Sequence, residues 1–208
     1  MMSKALVRAA LGLALGLAAA AGASAQGMPT PVQDYKAAPA GTYALDPAHT
    51  AIIARVPHLG FSFEVFRFST VTGALTWDPA NPGADTLTVT VDPKSMTTAP
   101  TGTVDFAAEL TGDKFLDAAK YPTATFVTKA FHVIDATHGK VDGDLTIKGV
   151  TQPVTFDVTL VGTGKFGPRT VIGVHADTDV AVKALGLPPF ILGPVELVID
   201  AEFDKKPS

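Results

Sequence analysis

From Thr42 onward, apolar and polar side chains alternate with a period of two. Leu87, Val89 and Val91 interleave with Thr86, Thr88, Thr90 and Asp92. Leu145 and Ile147 sit between Asp144, Thr146 and Lys148. Val154, Phe156, Val158 and Leu160 alternate with Thr155, Asp157 and Thr159, and Val195, Leu197, Ile199, Ala201 and Phe203 with Glu196, Val198, Asp200 and Glu202. Each run predicts a strand with one dry and one wetter face. Fainter patterns predict strands over Tyr43–Asp46, Ala51–His58, Phe66–Trp77, Thr123–Ile134 and Val171–Val180. Asp78-Pro79-Ala80-Asn81-Pro82-Gly83, Thr137-His138-Gly139 and Lys148-Gly149 supply turns between them. Eight to nine strands on short links predict an antiparallel meander. Between Thr103 and Lys120, Phe106, Leu110, Phe115 and Leu116 recur at helical spacing among charged residues, predicting one or two short helices closed off by Tyr121-Pro122.

So many antiparallel strands must hide their edges, and closing into a barrel does so more completely than a two-sheet sandwich. The fold class expected is therefore all-β, a barrel of about eight strands with a short helix or two. Such a barrel is either filled by side chains or holds one small ligand. Small residues expected on the inward face, Ala54, Ala74, Gly143 and Ala201, leave room or simply fit the taper.

The beginning of the chain follows another pattern. Lys4 and Arg8 precede a small, apolar stretch from Ala9 to Ala21, and Ala23-Ser24-Ala25 is a small-x-small cleavage motif. Residues 1–25 read as a secretory signal peptide; the apolar stretch is short of the ~20 residues that span a bilayer. Residues 26–41, with Pro29, Pro31 and Pro39, read as a flexible lead-in. Residues 42–204 form the barrel domain and 205–208 a tail. The expected location is the periplasm. The 208-residue chain has no Cys, so an oxidising compartment poses no disulfide question, and zinc-thiolate sites, iron–sulfur clusters and a Cys nucleophile are excluded. With 16 Lys and Arg against 20 Asp and Glu, it lacks the basic balance of a nucleic-acid binder. Losing Lys4 and Arg8 makes the remainder more acidic still.

Catalytic motifs are missing. There is no G-x-S-x-G, phosphate-binding loop or G-x-G-x-x-G, and the five His include no H-x-x-x-H or H-E-x-x-H pair. Neither a metal site nor a catalytic residue is expected, and no nucleophile, base and orienting group assemble into an enzyme. His49 and His58 bracket one strand. They read as hydrogen-bonding His at strand ends, or as a pair facing the barrel mouth. Gly162-Thr163-Gly164 reads as a turn or bulge. Four of the twelve Phe lie between Phe61 and Phe68, near a turn. They form either a plug or an aromatic mouth for an apolar ligand. A second apolar run, Leu185 to Leu192, is loop-like because of Pro188-Pro189. Two apolar loops on an acidic chain make a rim, or a surface that meets a membrane or a partner.

Several blocks together resemble one family. Tyr43-x-Leu45-Asp46-x-x-His49-Thr50, His58-Leu59-Gly60-Phe61-Ser62 and Gly73-x-Leu75 are similar to the opening of the YceI-like family of exported bacterial proteins. Phe115-Leu116-Asp117-x-x-x-Tyr121-Pro122-x-Ala124-x-Phe126 and Gly143-Asp144-Leu145-Thr146-Ile147-Lys148-Gly149-Val150-Thr151-x-Pro153-Val154 extend the likeness over Thr42 to Phe203. The resemblance implies an extended, lipocalin-like antiparallel barrel that binds a polyisoprenoid, quinone-like lipid or similar amphiphile, with no catalysis and no other cofactor. It carries over His49 and His58 as motif positions and Phe61, Phe63, Phe66 and Phe68 as pocket lining or mouth. With inward-facing neighbours, the candidate ligand-binding set adds Ile52, Ala54 and Val56; Phe106, Leu110 and Phe115; Phe126, Leu145, Ile147 and Phe156; and Leu185 and Phe190. The expected partners are that hydrophobic ligand, a transient membrane or membrane-protein contact and a second copy in a homodimer; nucleic acid is not one. Two departures stand out. Glu109-Leu110 replaces the family's His-Leu, and Val182-Lys183-Ala184-Leu185-Gly186 replaces an Arg-x-Asp-aromatic-Gly element, losing a cation and an acid at the head-group end.

Overall fold

A computed structural model describes residues 29–99, 102–188, 191 and 193–207. The expected signal peptide and Phe190 lie outside the described residues. Among the described residues are eleven strands: β1 (Gly41–Leu45), β2 (Ala51–His58), β3 (Ser62–Phe68), β4 (Val71–Trp77), β5 (Thr86–Val91), β6 (Met96–Thr97), β7 (Ala124–Val133), β8 (His138–Ile147), β9 (Val150–Phe166), β10 (Arg169–Val180) and β11 (Val195–Lys205). One short helix, α1 (Phe106–Thr111), stands in the stretch where helix was expected.

The strands make eight staves. The order β1-β4-β5-β7-β8-β9-β10-β11 closes on itself because β11 also pairs with β1, through Leu45 opposite Phe203 and Tyr43 opposite Lys205. This is the expected closed antiparallel barrel. The other three strands continue staves already begun. β2 runs on from β1 along the same β11, with Arg55 opposite Glu196. β3 pairs with β2, and the two-residue β6 pairs with β3. Beyond β6 the upper tier has no strand pairing to β7 among the described residues. There the wall is α1 and the loop after it, whose Phe106, Leu110 and Leu116 pack on the core formed by Ala54, Phe66 and Met96.

The breaks have local causes. Asp46-Pro47 and Asp92-Pro93 each start a one-turn helix: the Asp side chain accepts the N–H two residues on (Ala48 at 2.9 Å, Lys94 at 2.8 Å), and Pro supplies the first helical residue. Between β3 and β4, Ser69 and Thr70 leave the ladder, and the Thr70 N–H donates to Ser95 Oγ at 2.9 Å. The run from Phe66 to Trp77, expected as one strand, is therefore two. Of the Phe61–Phe68 segment, expected near a turn, Phe61 stands at the β2–β3 turn and the rest forms β3. Lys148 and Gly149, at φ 52° and 73°, form the two-residue link from β8 to β9, which Gly favours. At Gly162 the strand continues instead of turning, and Val161 is the extra residue of a bulge against β10.

The segment from Pro29, expected as a flexible lead-in, is laid across the lower end of the barrel. Val32 exchanges two backbone hydrogen bonds with Thr163 (2.8 and 2.9 Å), and the Tyr35 N–H donates to Ala136 O at 3.0 Å. The Tyr35 ring meets Trp77 edge-on at 6.2 Å, and Ala38 is buried. Its anchors are single apolar residues between prolines, which carry no period to read. Tyr43 is fully buried; its hydroxyl donates to Pro39 O at 2.6 Å, and burial pushes its pKa up to about 12.

Candidate lipid-binding cavity

The barrel interior holds two cavities in line. The smaller, about 220 Å³, lies in the lower tier beneath Tyr35 and Trp77. The larger, about 500 Å³, lies in the upper tier against α1, within the range of ligand pockets. Ile52, Val91, Ala124, Leu145 and Leu197 line both, so the two lobes share a waist. The inward faces expected from alternation supply the walls: Val195 and Leu197 above, Leu197, Ile199, Ala201 and Phe203 below, with Leu87, Val89, Val158 and Leu160 opposite.

Most of the expected ligand-binding residues are brought together. Ile52, Ala54, Val56, His58, Phe66, Phe68, Phe106, Leu110, Phe115, Leu145, Ile147 and Leu185 line the upper cavity. Phe126 and Phe156, edge-to-face at 5.2 Å, line the lower one with Ile52 and Leu145. Three residues line neither. Phe61, 89% exposed, stands at the tip of the β2–β3 hairpin. Phe63 is on the outer face of β3 with Arg55 over its ring at 4.6 Å. His49 sits on the one-turn helix 47–49, outside the barrel.

Of the small residues expected on the inward face, Ala54, Gly143 and Ala201 are inward and one differs. Ala74 points outward, and Gly73 takes the inward position. Gly143 is inward, but its space is taken: a Cβ there would lie 2.5 Å from the Phe126 ring and 2.5 Å from Val127 O. Leu116, read in the sequence only as part of a helical stretch, and Leu187 and Ile191, read only as part of an apolar loop, also line the wall; Glu64 and Glu109 are acids in it.

Outside the barrel, His49 Nδ1 meets Asp46 Oδ2 at 2.8 Å, with Glu202 nearby. The hydrogen bond that His49 donates to Asp46 and the charges of Glu202 and Asp46 raise the His49 pKa, and that bond lowers the Asp46 pKa. These three side chains have metal-ligand types and spacing. However, Arg169 is already among them, its Nη2 at 2.7 Å from Asp46 and 3.3 Å from Glu202, and its Nε at 2.9 Å from Asp204. The cluster is an ion-pair network that ties the β1–β2 corner to β10 and β11. At the lower end, Asp85 is buried. One of its oxygens accepts the Asp78 N–H at 2.6 Å and the other has no partner; burial pushes its pKa from 3.8 to about 6.

Comparison with known proteins agrees with this architecture. The profile of the YceI-like domain matches residues 43–203. A UPF0312 protein of Vibrio cholerae is 34% identical over 158 residues, covering 73% of this chain and 80% of that protein. The protein YceI of Escherichia coli O6:H1 is 34% identical over 160 residues, covering 74% and 81%. Among solved structures, the Campylobacter jejuni YCEI protein superposes with a TM-score of 0.64 at 27% identity, covering 74% of this chain and 91% of that one. A polyisoprenoid-binding domain from Saccharophagus degradans superposes at 0.58 with 15% identity, a likeness of fold, covering 79% and 98%. A closed eight-stave barrel with a helix set into one wall, matched in sequence from Tyr43 to Phe203, places the chain in the YceI-like family.

Proposed function

We propose that the protein is an exported binding protein that sequesters or carries a long-chain amphiphile, an isoprenoid, quinone or similar lipid, in the periplasm. The observation that carries this is the pair of apolar cavities joined at a waist inside a closed barrel. Burying each methylene contributes about 0.8 kcal/mol, so ten give ~8 kcal/mol before association costs. A tail alone thus supplies most of the binding free energy, and the wall needs no catalytic group. The fold likeness to a domain described as polyisoprenoid-binding supports the same ligand class.

The test is mass spectrometry of the organic extract of the protein purified from its native compartment, with sequencing of its N-terminus. A stoichiometric long-chain lipid and a start at Gln26 are expected. A folded protein with a blank extract that also fails to take up added isoprenoid would defeat the carrier reading; a start at Met1 would defeat export.

A second reading, docking to a membrane or a redox partner, is favoured by the β2–β3 hairpin. Its Leu59, Phe61, Phe63 and Val65 are all exposed beside the mouth of the upper cavity. Vesicle co-sedimentation that Phe61→Ser abolishes would support it, and equal sedimentation of the two proteins would remove it.

A further inference from the structure

Among the described residues the wall of the upper cavity is apolar except for three ionisable side chains, His58, Glu64 and Glu109, with no Lys or Arg. Glu64 is held there by register: it lies opposite Val56, on the face that Phe66 and Phe68 also present inward. Glu109 comes from α1 and His58 from the end of β2. Among the described residues none of these three side chains has an ion pair or hydrogen bond. The lower cavity is the reverse. Its ionisable wall residues are matched: His132 meets Asp142 at 2.8 Å, His138 meets Asp135 at 3.0 Å, and Lys140 pairs with Asp157. Among the described residues the unmatched acidic side chains of the two cavity walls therefore lie at the α1 end, Glu64 half-buried and Glu109 exposed.

We infer that the upper cavity holds the head of the amphiphile and that the head it selects is a protonated amine rather than a phosphate or carboxylate. This rests on the carrier reading above and narrows its ligand. The cavity is the site; the carboxylates only choose what enters it. Glu64 is half-buried without a partner, which is costly, and a cationic head relieves that cost; Glu109 is exposed at the cavity's edge and only adds attraction for the same charge. An anionic head would add a like charge in a wall of low polarity, where charges a few ångströms apart interact more strongly than in water. The tail then runs down through the waist toward Trp77.

The experiment displaces a neutral, apolar fluorescent probe from the delipidated protein with decylamine, decanol and decanoate at neutral pH and physiological salt. The amine is expected to bind about tenfold or more tighter than the carboxylate, with the alcohol between. In the Glu64→Gln, Glu109→Gln double variant the alcohol should bind as before, and the spread should shrink to about threefold or less. Asp200→Asn, outside the barrel, should leave the spread intact. Equal displacement by all three, tighter carboxylate binding, or an undiminished spread in the double variant would overturn the head-group assignment while leaving the carrier reading standing. If none of the three displaces the probe, the carrier reading falls, and the assignment with it.

Discussion

Ala124 stands at the waist, its Cβ facing both lobes and its backbone paired with Val91. Replacing it with Phe sets a ring into the passage without touching the mouth, α1 or the acids. If a long chain threads both lobes, affinity in the wild type should climb with chain length. At about 0.8 kcal/mol per methylene, each added carbon tightens binding about fourfold. In Ala124→Phe the climb should stop at the length that fills the upper cavity. A chain with four methylenes beyond that point would lose ~3 kcal/mol, on the order of 200-fold, while shorter chains bind as in the wild type. Titration calorimetry with an n-alkanol series reads both slopes. The inserted ring itself costs about 1–3 kcal/mol of stability through overpacking, so urea unfolding checks that the variant is folded at assay temperature. A uniform loss across all lengths would mean that the ring distorts the upper cavity. An unbroken climb in the variant would mean that the tail does not pass the waist, and the two-lobe reasoning would be wrong.

Three further outcomes follow from the same geometry. Because burial raises the Asp85 pKa from 3.8 to about 6, the folded state binds more protons than the unfolded one between those values, so stability falls as pH rises through that window, by on the order of 2 kcal/mol. Asp85→Asn keeps the acceptor for the Asp78 N–H and should flatten that slope in urea melts from pH 4 to 7; an unchanged slope would acquit Asp85. Gly143→Ala should cost about 2 kcal/mol or more, because its Cβ would overlap the Phe126 ring and Val127 O, and an unshifted urea midpoint would contradict the packing. NMR titration should find the His49 pKa above its ordinary value in the wild type and lower in Asp46→Asn. The raised His49 pKa makes its contribution to stability complete below the unfolded value and lost as pH rises through the folded one.

How far the sequence could be read depends on where the period-two pattern runs unbroken. From Val195 to Phe203 the odd-numbered residues stay inward for the length of β11, and the alternation names the wall correctly. On the first three staves the parity changes partway. Tyr43 and Leu45 are inward on β1, but Ile52, Ala54 and Val56 on β2. Phe66 and Phe68 are inward on β3, then Val71 and Leu75 on β4. Leu87, Val89 and Val91 give way to Met96. A strand read through such a break has every later side chain on the wrong face. That is why Ala74 was expected inside and Gly73 was not. The breaks at Asp46-Pro47 and Asp92-Pro93 carry a legible turn signal. The one at Ser69-Thr70 does not, because what holds it is Ser95, 25 residues away in the chain.

These three breaks sit side by side on neighbouring staves, and that alignment gives the cavity its shape. Below them the ladder runs from β1 through β4 and β5 to β7 and back to β11, so the lower tier is a sealed ring. Above them the first stave stays on β11 while the third shrinks to two residues, and the ring no longer meets β7. An open seam between strands would expose unpaired backbone and an apolar interior. α1 and its loop cover it with Phe106, Leu110, Phe115 and Leu116. A wall of side chains on a six-residue helix is more easily displaced than a hydrogen-bonded ladder. The seam is therefore the part of the upper wall that opens with the fewest backbone hydrogen bonds broken.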